Sequence, residues 1–109
     1  MSKEVMSTSF DTQLTALNHV TRRRLLLTLL RAKAQNDLPV DVDQLEYDTA
    51  EHSFRLSMHH VHLPKLHDYG FVDANLDRFS VTTGPRFPEI TPLLELLDAN
   101  RDLLPDDLL

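Results

Sequence analysis

At 109 residues the chain has the length of a single domain, and its 17 acidic and 11 basic residues leave a formal charge of −6. It contains no cysteine, which excludes disulfides, thiolate metal sites and thiol catalysis. The acidic balance argues against simple electrostatic attraction to nucleic acid, which usually requires a basic excess. No apolar run reaches the length of a signal peptide or a membrane span, so we expect a cytoplasmic protein without a membrane partner.

The first third of the chain predicts a flexible polar arm and two helices. Residues 1–9 are polar and show no period, whereas apolar residues at helical spacing follow from Phe10 and predict a helix that ends near Asn18. Thr21 is the candidate N-cap of a second helix, which should stop within 36–39. The apolar side of this second helix is formed by Leu25, Leu26, Leu29 and Leu30.

The rest of the chain predicts a long helix, a hairpin and a closing helix. The acidic stretch 39–50 could form one short helical turn on Val42 and Leu45, and a helix should then run over 50–69, with Gly70 in a left-handed cap. Period-two alternation over 71–83 indicates a two-stranded hairpin. The closing helix begins with Pro88 and Pro92 in its first turn, and its apolar side is formed by Ile90, Leu93, Leu94, Leu97 and Leu104.

This order predicts a mainly α protein with a small β-hairpin, a winged helix-turn-helix with an additional C-terminal helix. We divide the chain into a flexible arm (1–9), the winged helix-turn-helix domain (10–86) and a C-terminal dimerisation element (87–109). We find no internal repeat.

The long helix carries three closely spaced histidines, His59, His60 and His62. On a regular helix of 3.6 residues per turn, the inward side would consist of Leu56, His59, His62, Leu63 and Leu66. The outward side would consist of Ser53, Phe54, Ser57, Met58, His60, Val61 and Lys65. The histidines then do not converge as the ligands of one zinc ion would, so we expect no metal site and no cofactor. Pro64 should bend this helix, because it lacks the N–H that would bond the carbonyl of His60.

Two motifs together resemble the ArsR-type winged helix repressors. Residues 16–30, ALNHVTRRRLLLTLL, are similar to that family's entry into the helix-turn-helix, and residues 62–73, HLPKLHDYGFVD, are similar to its passage from recognition helix to wing in small haloarchaeal regulators. The tail over 84–109 is also similar. The resemblance implies a homodimeric transcriptional regulator with one helix in the major groove and the hairpin on the flanking backbone. The cysteine pair of the metal-sensing members is absent, so metal sensing is not carried over.

The leading hypothesis is therefore a sequence-specific, homodimeric regulator that binds double-stranded DNA. The residues expected to contact DNA are Ser53, Ser57, Met58, His60, Val61, Lys65 and Arg78. Those expected at the dimer interface are Phe10, Leu14, Ile90, Leu93, Leu94 and Leu97. If the haloarchaeal resemblance holds, the halophilic medium shortens the Debye length to about 3 Å at 1 M salt, so the acidic charge would not prevent short-range contacts with DNA. The basic run Arg22 to Arg24 could clamp phosphate or form a solvated face beside the acidic stretch.

Two other functions remain as alternatives. Phe54, Met58 and Val61 would form an apolar strip that suits a protein partner, so the chain could be an adaptor or antirepressor on the same scaffold. An enzyme would use His59 or His62 as general base. The sequence carries no nucleophile motif beside them, and its glycines are Gly70 and Gly84 alone, which do not form a phosphate loop. We therefore expect no enzymatic activity.

Overall fold

The computed structural model describes residues 8–42 and 51–109, with side chains of the second range from 53 onwards. Its helices are α1 (Phe10–Ala16), α2 (Val20–Ala34), α3 (Glu51–Ser57), α4 (Leu63–Asp68) and α5 (Phe87–Ala99). Its strands are β1 (Val40–Asp41), β2 (Val72–Asn75) and β3 (Ser80–Thr83), and two short 3₁₀ turns, Arg101–Leu103 and Asp106–Leu108, form the tail. The described part is thus mainly helical with a small antiparallel sheet. Within it, no helix has the length and apolar character needed to cross a bilayer.

Local capping accounts for the starts of the first two helices. The Ser9 hydroxyl accepts a hydrogen bond from the Thr12 N–H at 3.1 Å and caps α1, which begins at Phe10 as predicted. The predicted cap of α2, Thr21, is wrong. His19 has an extended backbone and its Nδ1 accepts from the Thr21 N–H at 3.1 Å, so the helix already begins at Val20. Of the predicted arm, residues 1–7 lie outside the described part of the chain.

The predicted hairpin is confirmed, and a third strand joins it. β3 pairs antiparallel with β2 on one side and with β1 on the other, where Val40 faces Val81. The short helical turn expected over 39–50 therefore does not include Val40 and Asp41, whose backbone pairs with β3. Val42 is a buried anchor as predicted, whereas Leu45 lies outside the described residues.

Gly70 and Gly84 bring the hairpin close to the end of α4. Gly70 adopts a left-handed conformation with φ of +82°, as predicted for the helix cap. A Cβ atom on Gly84 would lie 2.6 Å from the carbonyl oxygen of Gly70, so only glycine fits where the end of β3 passes the helix end. This close approach fixes the hairpin against the helix that precedes it.

The core surrounds α2. Its fully buried side chains include Leu25, Leu26, Leu29, Leu63, Leu66, Phe71, Phe87, Ile90 and Leu94. Two predictions for the dimer interface are thereby wrong, because Ile90 and Leu94 are fully buried against the chain's own core. α5 also starts at Phe87, which leaves Pro92 inside the helix rather than in its first turn, and it ends before Leu104.

Candidate nucleic-acid interface

A wide turn divides the predicted recognition helix. Residues Met58–His62 form a π turn between α3 and α4, and the N–H of Leu63 donates to the carbonyl of Met58, five residues earlier. Pro64 follows directly, and in a regular helix its ring would clash with the carbonyl of His60. A π turn is one of the ways in which a helix avoids such a clash, and it kinks the helix axis. We call the continuous segment 51–68 the split helix.

The π turn changes which side chains of α3 face inward. It inserts one extra residue, which rotates the leading half by about 100° relative to a regular helix. The predicted inward positions Leu56 and His59 are therefore wrong: Leu56 is 45% exposed and His59 is exposed. Phe54 and Met58, predicted to point outward, occupy the core instead, and Met58 is fully buried. From the last residue of the turn onwards the predicted phase is confirmed, with His62, Leu63 and Leu66 all buried.

An open groove lies between the split helix and the tip of the hairpin. It has a volume of about 480 Å³ and is lined by Arg55, Leu56, His59, His60, Leu76, Asp77, Arg78 and Phe79. The guanidinium of Arg55 lies 4.4 Å from the ring centroid of Phe79 and so joins α3 to the hairpin. The hairpin tip is held by the Asn75 side-chain oxygen, which accepts from the Arg78 N–H at 3.2 Å. The groove thus combines cationic and imidazole donors with apolar walls.

The groove brings together two of the residues predicted to contact DNA, His60 and Arg78, both exposed. Ser53 and Val61 are exposed and Ser57 is half-buried, but none of these three lines the groove. Lys65 is half-buried, with its Nζ 5.7 Å from the ring centroid of Tyr69.

Met58 cannot contact DNA, because the core encloses it. Sequence reasoning missed three residues of the groove on the helix side, Arg55, Leu56 and His59. Pro64 was the signal available in the sequence. A proline inside a helix indicates a kink, so the inward side of the helix before it need not continue the inward side after it.

A buried polar cluster lies behind the π turn. Arg22 of α2, 6% exposed, donates through Nε to the carbonyl of Ala16 at 2.9 Å and through a terminal nitrogen to that of Thr15 at 3.0 Å. Its other terminal nitrogen lies 3.1 Å from Nδ1 of His62, which is 4% exposed. Because arginine can only donate, Nδ1 accepts and the imidazole is neutral. The cluster therefore ties the end of α1 and the π turn to α2.

The electrostatics of the cluster keep His62 uncharged. Burial, with the nearby positive charges of His19 and Arg22, lowers the pKa of His62 from 6.5 to about 4. The ring of His19 lies 4.4 Å from that of His62, and burial together with Arg22 and Arg23 also lowers the pKa of His19.

The basic run acts in a way that neither prediction for it anticipated. Arg22 is buried, and Arg23 donates to the carbonyls of Leu17, Asp107 and Leu108 at 2.7, 3.0 and 2.7 Å. Both side chains are committed to backbone oxygens of their own chain. They are therefore neither a phosphate clamp nor a solvated face, and Arg23 fastens the tail to the corner between α1 and α2.

A second groove, between α1, α5 and the tail, is apolar. It has a volume of about 410 Å³ and is lined by Leu14, Leu17, Arg23, Leu93, Leu97, Pro105, Asp107 and Leu108. Exposed apolar side chains on the same elements are Phe10, Leu14, Leu96 and Leu103. Four of the residues predicted for a dimer interface, Phe10, Leu14, Leu93 and Leu97, thus remain accessible, the last two in part.

Neither bound chemistry nor similarity to known proteins assigns a role to these features. Among the residues that the structure describes, no group of three His, Asp or Glu side chains could hold a metal ion. Comparisons with protein families, curated proteins and solved structures found no match to the chain. The functional proposal therefore rests on the geometry of the split helix and of the two grooves.

Proposed function

We propose that this chain is a winged helix-turn-helix regulator that binds double-stranded DNA as a homodimer. The observation that supports this most directly is the groove in which the outer side of α3 faces the hairpin tip. A helix with an exposed polar side and an adjacent hairpin suits a duplex, because the helix can enter the major groove while the hairpin reaches the flanking phosphates. In this arrangement His60, with Ser53 beyond the groove, faces base edges or phosphates, and Arg78 meets the backbone.

The residues that would contact DNA differ from those expected for a regular helix. Arg55 and His59 join His60 in the groove, and Met58 leaves the set because it is buried. Arg55 adds a cation on the helix side, although its guanidinium also packs on Phe79. The exposed side is thus more polar and more cationic than a regular helix would present.

The apolar strip of Phe54, Met58 and Val61, on which the adaptor hypothesis was based, does not form on the surface. Phe54 and Met58 are part of the core, which leaves Val61, 51% exposed, as the exposed member of the three. A single exposed apolar side chain is ordinary on a protein surface and does not indicate a partner.

The net charge of −6 makes salt dependence the informative measurement. At molar salt the Debye length is about 3 Å, so long-range repulsion by the acidic residues is largely screened and short contacts at the groove determine affinity. We expect the purified protein to bind a fragment of its own upstream region in KCl of 1 M or more, as measured by fluorescence anisotropy. Failure to bind any genomic fragment at any KCl concentration, with the protein folded, would contradict the proposal.

Arg78→Gln tests the contact between hairpin and phosphate. The homodimer would lose two phosphate contacts, one from each subunit, which should reduce the slope of log K against log salt by about two and weaken binding to all sequences alike. Lys33→Gln is the matched control: it removes the same charge from a side chain that lies over Phe87 and outside the groove, and should leave the slope unchanged. Equal effects of the two substitutions would show that Arg78 acts only through net charge.

Leu14→Ser tests the homodimer. Leu14 is 46% exposed and lines the apolar groove, so its replacement should raise the dimer dissociation constant about tenfold in sedimentation equilibrium, because the interface loses this side chain from both subunits. Val61→Ser is matched in exposure but lies on the split helix, away from that groove, and should keep the dimer intact. A protein that is monomeric at all concentrations and on DNA would rule out this part of the proposal.

A further inference from the structure

The polar cluster behind the π turn connects the position of this turn to the protonation of one side chain. His62 is the last residue of the π turn, and its Nδ1 accepts from Arg22, which is itself fixed by the carbonyls at the end of α1. Any rotation of the π turn that moves His62 would leave a buried guanidinium nitrogen without its acceptor, which is costly. The contact therefore holds the end of the π turn against α2.

A proton on His62 would remove this contact. Protonated imidazole has no acceptor, so Nδ1 could not receive the Arg22 N–H. It would also place a new positive charge beside Arg22 and 4.4 Å from the ring of His19. The groups of the described chain that act electrostatically on this cluster are His19 before α2, Arg22 and Arg23 on α2, and Tyr69 after α4. Three of these four groups can carry positive charge, so a protonated His62 side chain is unstable in its buried position and moves out of it.

We infer that the Arg22–His62 hydrogen bond holds the π turn against α2, and that proton uptake by His62 releases the π turn. His62 is a positioning residue in this scheme, since it touches no ligand and acts through the π turn that carries His59 and His60. The inference deepens the proposed function, because the surface that moves is the one we assign to DNA.

Amide hydrogen exchange measures this release without DNA. The reporting amide is that of Leu63, whose N–H bonds the Met58 carbonyl in the π turn. Its protection factor should fall nearly tenfold when the pH is lowered from 6 to 5, because opening exposes a histidine that then binds a proton. The amide of Leu29, in the middle of α2, reports global unfolding and should remain more protected than that of Leu63 throughout.

His62→Gln tests the role of the hydrogen bond independently of protonation. A glutamine oxygen can accept from Arg22 at every pH, so this variant should keep the π turn and lose at least half of the pH dependence at Leu63. His62→Leu, if it folds, should show low protection at Leu63 at both pH values, since Arg22 has no acceptor. His67→Gln is the control: His67 is an exposed histidine of α4 and its replacement should leave the pH dependence intact.

Two outcomes would overturn the inference. One is a His62→Gln variant that keeps the full pH dependence, and the other is equal protection of Leu63 and Leu29 at every pH, which would mean that the turn opens only with the whole fold. A protein that shows the expected exchange and yet binds no duplex would support the inference and overturn the proposed function.

Discussion

Replacement of Arg22 by methionine is expected to lower the free energy of unfolding by about 3 kcal/mol at neutral pH. Methionine fills much of the same volume but cannot donate, so the carbonyls of Thr15 and Ala16 and the Nδ1 of His62 lose their shared partner. The carbonyl of Ala16 and the Nδ1 of His62 are the buried acceptors, and each costs about 1–3 kcal/mol when it is left without a donor. The measurement is urea denaturation of the wild type and the variant, followed by circular dichroism.

Two further variants isolate the cause of that loss. Arg22→Lys keeps the charge but replaces the planar fork by a single ammonium, which cannot reach three acceptors, so most of the destabilisation should remain. Arg31→Met, on the same helix, removes an exposed ion pair with Asp98 at 2.7 Å and should cost about 1 kcal/mol or less. A loss at Arg22 no larger than that at Arg31 would show that the buried cluster does not support the fold.

The second large effect is expected at Met58. Met58→Ala should destabilise the protein by about 3 kcal/mol, because the side chain is fully buried and its truncation leaves a cavity in the core. Leu56→Ala, two residues earlier, should cost less than about 1 kcal/mol, since Leu56 is 45% exposed on the groove side. Chemical denaturation of the two variants side by side gives the difference directly.

Which of the two substitutions, Met58→Ala or Leu56→Ala, destabilises the protein more depends on which side of α3 faces inward. A regular helix through 51–68 would bury Leu56 and expose Met58, and the two costs would be exchanged. A larger loss for Leu56→Ala would therefore contradict the π turn, and with it the set of residues that line the groove.

The elements themselves could be predicted from the sequence because their signals are local. Phe10, Leu14 and Leu17 repeat at helical spacing, residues 71–83 alternate with period two, and Gly70 supplies the left-handed cap, all within a few positions of the structure they specify. The inward phase of His62, Leu63 and Leu66 was predictable for the same reason. β1 was not, because a two-residue strand forms only when β3 offers its edge.

The sequence by itself thus determined the order of the helices and of the two hairpin strands, and it identified His60 and Arg78 among the residues of the groove. The tertiary structure decided how they are used. The pairing of Arg22 with His62 joins positions 40 residues apart, and no local pattern distinguishes a buried arginine from a solvated one. Likewise, the spacing of Ile90 and Leu94 predicts an apolar side of α5 but not what covers it, which is the chain's own α2 and core. The phase of α3 depends on the π turn that precedes Pro64, and this turn determines whether Met58 or Leu56 faces the groove.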